Sequence, residues 1–381
     1  MAAGRLFWAG HPTYVPMPPA LPDQILTSPV SILYPPTHFL LLWPVIALPH
    51  DLQIVVWLGL YAVAVPVVLV AVYSTIGRPS PAEAMLVGAM FLASYPLRLG
   101  LENGEVELLI AALLASMMVA YIRGRRGLAG VALAAAILLK PTIAVLLVPF
   151  FLWKRAVRVA VAAVGVAGVV LVGTIAVGWM PRWRAYASLM GPVGRGTAWI
   201  HNQSVNGFVL RLTAPNSSGV PIAVLPLTTE LAVDAGRVAV VVLLAWLVAG
   251  NRLEGAERQW TDISLALLAL PLVQPYALAE HWTAALVVIP VAVRLINRRR
   301  LPPEAAVGLV VGWGAMMASN FVLFSIARHV PGPRLPSEPL ALMLSSSLVY
   351  AILVLLISLG LGVRGPRFTP APATGGRGVP A

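Results

Sequence analysis

The sequence predicts an all-α integral membrane protein that crosses the bilayer several times, and three observations predict it. Hydrophobic residues make up 59% of the 381 residues and charged residues only 10%, whereas a water-soluble domain has roughly 25% charged residues. Apolar stretches near 20 residues, the length that a helix needs to cross the hydrocarbon core, account for most of the chain. The strongly basic clusters between them can all be assigned to one side of a membrane.

Apolar windows predict nine spans and two irregular segments. Segment 37–49 contains Pro44 and gives only about 20 Å of helix, so it is predicted to lie in the outer interface. Segment 128–153 is interrupted at Lys140 and Pro141; since proline removes a helix hydrogen bond, a hairpin of two half-depth helices is expected. The prediction is about ten membrane helices, an interfacial helix and a broken hairpin. The nine spans are 52–74, 82–98, 105–122, 157–178, 235–250, 262–278, 282–296, 304–327 and 340–362.

The distribution of charge predicts one membrane domain, residues 1–363, in a multi-pass protein of the cell membrane. A disordered basic tail, 364–381, is expected in the cytoplasm with the basic clusters. The outer face then holds segment 1–36 and loop 180–233. The net charge of +12 is typical of contact with anionic membrane lipids, and nucleic acid is not an expected partner. There is no cysteine, which excludes disulfides and thiolate chemistry.

The densest charge cluster on the outer face runs from Arg98 through Glu102 and Glu105 to Glu107. Three carboxylates within six residues exceed what the N-terminal dipole of a helix requires. Two interpretations stay open: a solvated loop in which Arg98 pairs with Glu102, or a carboxylate that serves as a base or a substrate ligand.

Two other outer segments combine hydrogen-bonding groups. His201, Asn202, Gln203 and Arg211 fall within eleven residues, a set suited to a polyol, although the aromatic residues nearby also fit an interfacial belt. Glu280 and His281 lie at a tight predicted turn, where a histidine is either structural or catalytic.

Lys140 and Tyr34 each allow a structural and a functional interpretation. An unpaired ammonium in the membrane costs several kcal/mol, so Lys140 either reaches the interface or holds an anionic group such as a lipid phosphate. Tyr34 precedes two prolines that favour a helix start, which leaves it as an interfacial anchor or a ligand contact. No metal-ligand motif and no nucleotide-binding loop occurs, so neither a metal nor another cofactor is expected.

Five motifs, taken in order, resemble glycosyltransferase family 87, the GT-C-type polyprenol-phosphate-mannose-dependent mannosyltransferases. They are Leu33-Tyr34-Pro35-Pro36, Leu101 to Leu109, Leu138 to Thr142, His201 to Arg211, and Pro275 to Pro290 with Glu280-His281-Trp282. Two features depart from the family pattern. Glu105 and Glu107 replace two amides, and the family's first span and outer aspartate would precede the start of this chain. That aspartate is the family's usual base, so a truncated start or an inactive member is also expected as an alternative.

The resemblance implies a GT-C-like helical bundle that transfers a hexose, expected to be mannose. The donor would be a polyprenyl-phosphate sugar, and the acceptor a lipid or glycan on the outer face. No metal is required if cations and amides stabilise the leaving phosphate. A transporter or lipid flippase is the alternative from another class, although its charges would lie near mid-membrane.

The resemblance also suggests roles for the candidate residues. Arg211, Lys140 and Arg98 are the expected phosphate partners. Glu102, Glu105, Glu280 and His281 are the expected catalytic bases. The residues expected to bind the sugar are Tyr34, His201, Asn202 and Gln203.

Overall fold

The computed structural model describes residues 2–14, 33–194, 196, 198, 201–213, 226–329 and 346–365. Within these ranges the regular structure is entirely helical, as predicted. Residues 366–381 of the predicted tail, 364–381, and the loop residues 214–225 lie outside the described residues. The first helices are α1 (Ala2–Trp8), α2 (Pro36–Leu41), α3 (Trp43–Ile46), α4 (His50–Ile76), α5 (Pro81–Leu92), α6 (Tyr95–Asn103), α7 (Glu107–Ile122), α8 (Arg126–Leu139) and α9 (Pro141–Trp153).

The second half begins with α10 (Val157–Thr174), which continues through a π-helical turn (Ile175–Trp179) into α11 (Met180–Gly194). A 3-10 helix, Ala279–Val287, precedes the helix Val288–Asn297. The remaining helices are α12 (Val205–Thr213), α13 (Pro226–Ala249), α14 (Gly255–Val273), α15 (Val288–Asn297), α16 (Pro303–His329) and α17 (Ser347–Gly362).

Four of the described helical segments are long and apolar enough to cross a membrane, and a bent pair makes a possible fifth. The four are His50–Ile76, Val157–Gly191, Thr229–Ala249 and Ala279–Asn297. Shorter apolar helices, α7, α8, α9 and α17, accompany them. The chain is therefore an integral membrane protein, whereas the count of about ten membrane helices stays a prediction.

The exposed surface of these helices is apolar, as lipid contact requires. Val55 and Val70 of α4 are about two-thirds exposed, and Val169 of α10 is 73% exposed. Soluble monomers rarely expose apolar patches of this extent. The segment Ala279–Asn297 is instead almost entirely buried, so it forms the centre of the bundle.

Three predicted spans differ in detail from the structure. The predicted span 82–98 is a pair, α5 and α6, bent by 51°; Pro96 in the first turn of α6 cannot donate a helix hydrogen bond. The predicted span 262–278 ends at Val273 in α14, and the next span begins as a 3-10 helix. The break at Lys140 is confirmed, because its backbone is extended between α8 and α9.

Buried ion pairs join the helix ends that carry the basic clusters. Lys154 after α9 pairs with Asp262 of α14 at 2.7 Å, and Arg294 of α15 pairs with Glu83 of α5 at 3.1 Å. Three segments meet at the opposite end of the bundle from these ion pairs. They are the start of α7, the break after α8 and the start of the 3-10 helix. A second polar cluster therefore lies at the end predicted to face outward.

Candidate active site

A cavity of about 650 Å³ opens where this second polar cluster lies. Its walls come from the chain around α2, the turn between α6 and α7, the break between α8 and α9, and the segment that precedes the 3-10 helix. The residues with polar side-chain groups that line it are Tyr34, His38, Trp57, Asn103, Glu105, Lys140, Thr142, Tyr186, Gln274, Tyr276, Glu280 and His281.

Lys140 is the centre of the ion-pair network. Its Nζ lies 3.2 Å from Glu105 Oε2 and donates a hydrogen bond to Glu107 Oε1. The Lys140 side chain is only 7% exposed, so it does not extend to the interface. Because the two carboxylates neutralise the ammonium inside the protein, the cost of burying it is offset.

Tyr34 extends this network towards α2. Its hydroxyl donates to Glu105 Oε2, and its ring stacks on the His38 ring at 4.0 Å between centroids. Burial raises the pKa of the Tyr34 hydroxyl well above its ordinary value, and the charges of Glu105 and Glu107 raise it further. Tyr34 is therefore a protonated donor at neutral pH.

Glu105 lies in the turn just before α7, which begins at Glu107 rather than at Glu105 as expected. Burial alone would raise the pKa of the Glu105 carboxyl. The Lys140 ammonium and the hydrogen bonds from Tyr34 and Lys140 outweigh burial, so the pKa lies below its ordinary value. Glu105 is thus held ionised as the acceptor of two fixed donors.

His281 has a defined tautomer in this arrangement. Its Nδ1 accepts a hydrogen bond from the Leu278 backbone N–H at 3.2 Å, so the proton of the neutral ring is assigned to Nε2. Nε2 lies 3.6 Å from Glu107 Oε1. The Nε2–H therefore faces Glu107 beyond hydrogen-bond distance, and the Nδ1 lone pair is taken up by the Leu278 N–H.

Glu280 differs from the other carboxylates of the cluster. It lines the cavity and is 2% exposed. Among the residues that the structure describes, it forms no ion pair within 4.0 Å, in contrast to Glu105 and Glu107. Glu280 is therefore the carboxylate in the cavity wall that is not committed to Lys140.

The model of glycosyltransferase family 87 matches residues 33–275, which include most of the cavity lining. The chain belongs to glycosyltransferase family 87. This membership confirms the resemblance, and the first four of the five motifs lie within the matched residues. The protein is a membrane glycosyltransferase rather than a transporter or flippase.

A curated relative is also similar to this family 87 glycosyltransferase. It is the polyprenol-phosphate-mannose-dependent alpha-(1-2)-phosphatidylinositol pentamannoside mannosyltransferase of Mycolicibacterium smegmatis (strain ATCC 700084 / mc(2)155). The two are 28% identical over 305 residues, which is 77% of this chain and 67% of the relative. No solved structure matches the chain.

Arg98 and Glu102 of the family 87 enzyme lie apart from the cavity. They pair with each other at 2.9 Å across one turn of α6, and their side chains are 64% and 55% exposed. Neither lines the cavity. This geometry favours the solvated pair, one of the two interpretations of the charge cluster.

Asn202 and Gln203 lie behind one wall of the cavity and form hydrogen bonds to it. The Asn202 side chain donates to the Pro275 carbonyl at 3.1 Å and accepts from the Ala277 N–H at 3.0 Å. The Gln203 N–H donates to the Ala277 carbonyl at 2.7 Å. Both residues are fully buried and outside the lining, so they position the segment that carries Gln274 and Tyr276.

Arg211 and His201 also lie outside the lining. Arg211 is fully buried and donates to the Asn202 carbonyl at 2.8 Å and to Ser346 Oγ at 2.6 Å. Burial lowers the pKa of the His201 ring, and the Arg211 charge lowers it further. These contacts fix the loop after residue 200 against the last described helix.

Glu107 and His38 belong to this cluster but were not predicted as site residues. Glu107 belonged to the recognised acidic cluster, but only Glu102 and Glu105 of that cluster were predicted to be bases. His38 lies four residues after Tyr34, in α2, and its Nδ1 lies 2.9 Å from the Leu139 carbonyl oxygen. Burial lowers the pKa of His38 to about 4, which keeps its ring neutral.

Proposed function

We propose that this chain transfers mannose from a polyprenyl-phosphate donor to a lipid-linked or glycan acceptor at the outer face of the cell membrane. The family and the similarity to the polyprenol-phosphate-mannose-dependent mannosyltransferase of Mycolicibacterium smegmatis support the donor class and the sugar. The cavity lies at the end of the bundle opposite the basic clusters, and this supports the outer face.

In the proposed reaction, the bond between the sugar C1 and the phosphate oxygen breaks as the acceptor oxygen bonds to C1. The acceptor proton passes to Glu280, and the electron pair of the broken bond leaves with the lipid phosphate. The supporting observation is that Glu280 lines the cavity without an ion pair among the described residues. A base bound to two donors, as Glu105 is, would have to give up those bonds to accept a proton.

Lys140 is proposed to contact the leaving phosphate. An ammonium has three N–H donors, of which Glu105 and Glu107 account for two. The third can stabilise the charge that develops on the phosphate oxygen. Because the leaving group is already a phosphate ester, the proposed transfer proceeds without a metal ion.

The remaining site residues are given supporting roles in this proposal. Tyr34 orients Glu105 and contacts the sugar, in line with its place in the cavity wall. Asn202, Gln203 and Arg211 shape the wall without touching the substrate. Arg98 and Glu102 are proposed to have no part in the reaction, because they are exposed and paired with each other.

The proposal is tested with purified protein in lipid nanodiscs, a radiolabelled polyprenyl-phosphate mannose and a lipid-linked acceptor. Glu280→Gln is expected to lower the rate of transfer by roughly 10²–10⁴-fold, the usual contribution of a general base, while donor binding is retained. Glu102→Gln is the matched control, since this exposed carboxylate lies outside the cavity. Transfer at the wild-type rate by Glu280→Gln would reject the assignment. Binding of the radiolabelled donor by the wild-type protein without any transfer to the acceptor would reject the function.

A further inference from the structure

Three uncharged hydrogen-bond donors in the cavity wall have no partner in the described structure. They are Trp57 Nε1, Gln274 Nε2 and the Tyr276 hydroxyl. Each belongs to a residue that lines the cavity, and the residues are 9%, 6% and 7% exposed, respectively. A buried donor without a partner is costly and uncommon in native proteins. Three around one cavity indicate that their partners enter with a ligand.

The surroundings restrict the chemistry of that ligand. The donors are neutral, while the carboxylates Glu105 and Glu280 line the same cavity. Lys140 neutralises Glu105 and is the cation proposed to contact the phosphate, whereas Glu280 forms no ion pair within 4.0 Å among the described residues. Beside Glu280 a phosphate would be repelled and could only accept hydrogen bonds, whereas a sugar hydroxyl both accepts and donates. Burial raises the pKa of the Tyr276 hydroxyl well above its ordinary value, and the Glu280 and Glu105 charges raise it further. The Tyr276 hydroxyl therefore remains a donor at neutral pH.

Gly104 leaves room for a ligand beside one of these donors. It adopts a left-handed backbone, with φ of +66°, a conformation in which glycine carries no steric penalty. A Cβ at this position would lie 4.0 Å from Trp57 Nε1. The absence of a side chain at residue 104 thus keeps the space next to Trp57 open.

We infer that Trp57, Gln274 and Tyr276 form a subsite that binds the hydroxyls of a hexosyl ring, with Glu280 as an acceptor in the same cavity. The inference rests on the proposed function, since the ring belongs either to the transferred sugar or to a sugar of the acceptor. In both cases the lipid phosphate lies outside the subsite. A ligand that lacks these hydroxyls leaves the three donors unpaired, so the subsite also contributes to specificity.

Two nearly isosteric variants, Tyr276→Phe and Gln274→Met, test the subsite. The ligands are polyprenyl-phosphate mannose and sugar-free polyprenyl phosphate, and binding is measured in nanodiscs. Each variant is expected to weaken binding of the sugar-bearing lipid roughly 3- to 10-fold, the effect of one neutral hydrogen bond. Binding of the sugar-free lipid is expected to stay unchanged. Tyr73→Phe is the matched control, because Tyr73 is a buried tyrosine of α4 outside the cavity lining.

The outcomes separate the two sources of the sugar ring. Weaker binding of the sugar-bearing donor assigns the subsite to the transferred sugar. A raised KM for a glycosylated acceptor, with donor binding intact, assigns it to the acceptor. Equal weakening of both polyprenyl lipids would overturn the inference in favour of phosphate contacts. If neither donor binding nor acceptor KM changes, the three donors bond to structural water and the inference is wrong.

Thermal stability of the unliganded protein provides an independent check. Removal of a partnerless buried hydroxyl removes its desolvation cost, so Tyr276→Phe is expected to melt at the same temperature or higher. A lower melting temperature would contradict the absence of an internal partner. If wild-type protein binds the sugar-bearing lipid through this subsite but transfers nothing, the proposed reaction fails while the subsite stands.

Discussion

Lys140 and Glu107 form a buried ion pair that joins the break between α8 and α9 to the first residue of α7. The Lys140 and Glu107 side chains are 7% and 3% exposed, and Glu105 supplies a second carboxylate to the same ammonium. A buried pair of this kind contributes little net stability compared with apolar packing. Removal of one member, however, leaves an uncompensated buried charge.

Lys140→Met is therefore expected to lower the free energy of unfolding by about 3–5 kcal/mol, because two carboxylates lose their counter-charge. Adding Glu107→Gln should recover part of this loss, because it removes one of the two carboxylate charges that Lys140→Met leaves without a counter-charge. The free energies of unfolding of the single and the double variant are both measured by denaturation in the same detergent. Arg98→Met, which breaks the exposed pair with Glu102, is the control and is expected to cost about 0–1 kcal/mol. Equal effects of Lys140→Met and Arg98→Met would contradict the buried network.

The orientation of the bundle can be tested by cysteine labelling, since the chain has no native cysteine. Asn103, Arg125 and Asn297 are all exposed, so a thiol at each can react. A cysteine at 103 should react with an impermeant reagent added to intact cells, whereas cysteines at 125 and 297 should react only after permeabilisation. Labelling of 125 in intact cells with protection of 103 would reverse the topology and remove the cavity from the outer face.

Metal independence gives a third prediction. Because the donor already carries a phosphate leaving group and Lys140 provides a cation, transfer should continue at an unchanged rate in excess EDTA. The initial rate of transfer is measured before and after chelation, and again after manganese or magnesium is added back. A rate that falls on chelation and returns with one cation would refute this mechanism. Activity with a sugar nucleotide in place of the lipid donor would refute the donor class.

Sequence patterns predicted the membrane helices and the break at Lys140 because bilayer thickness and proline geometry act locally along the chain. They could not distinguish Asn202 as a positioning residue from Asn202 as a sugar ligand. Amides suit both roles, and the distinction depends on Pro275 and Ala277, more than 70 residues away. The predicted span 262–278 lies too far along the chain, because α14 ends at Val273. The backbone at Gln274 is extended and forms part of the cavity wall, where the sequence predicted a last helical turn.

The grouping of site residues was predictable only in part. Three carboxylates near residue 105 and a lysine at 140 were each recognised, but their pairing depends on how α7 packs against α8. Trp57 looked like an ordinary residue of an apolar span, since its unpaired indole nitrogen becomes apparent only in the folded chain. Burial and partnership are tertiary properties, so composition alone cannot assign them.

The last prediction distinguishes two roles for His281. The sequence predicts a general base, whereas the bond from Leu278 N–H to Nδ1 places the ring proton on Nε2, facing Glu107. His281→Gln can retain a donor near the Nε2 position, and His281→Asn retains an acceptor near Nδ1 but loses that donor. If His281 acts as a donor, we expect the Gln variant to keep kcat within about 10-fold of wild type and the Asn variant to lose roughly 10²-fold.

A general base gives a different pattern, because neither amide can take up a proton. Both variants would then lose roughly 10²–10⁴-fold in kcat, and the original interpretation of His281 would stand. The comparison uses single-turnover transfer rates, with melting temperatures measured on the same samples. Since His281→Asn preserves the bond to Leu278, its melting temperature should stay close to that of wild type. A strong loss of stability in both variants, with kcat unchanged in the folded fraction, would make His281 a structural residue of the turn.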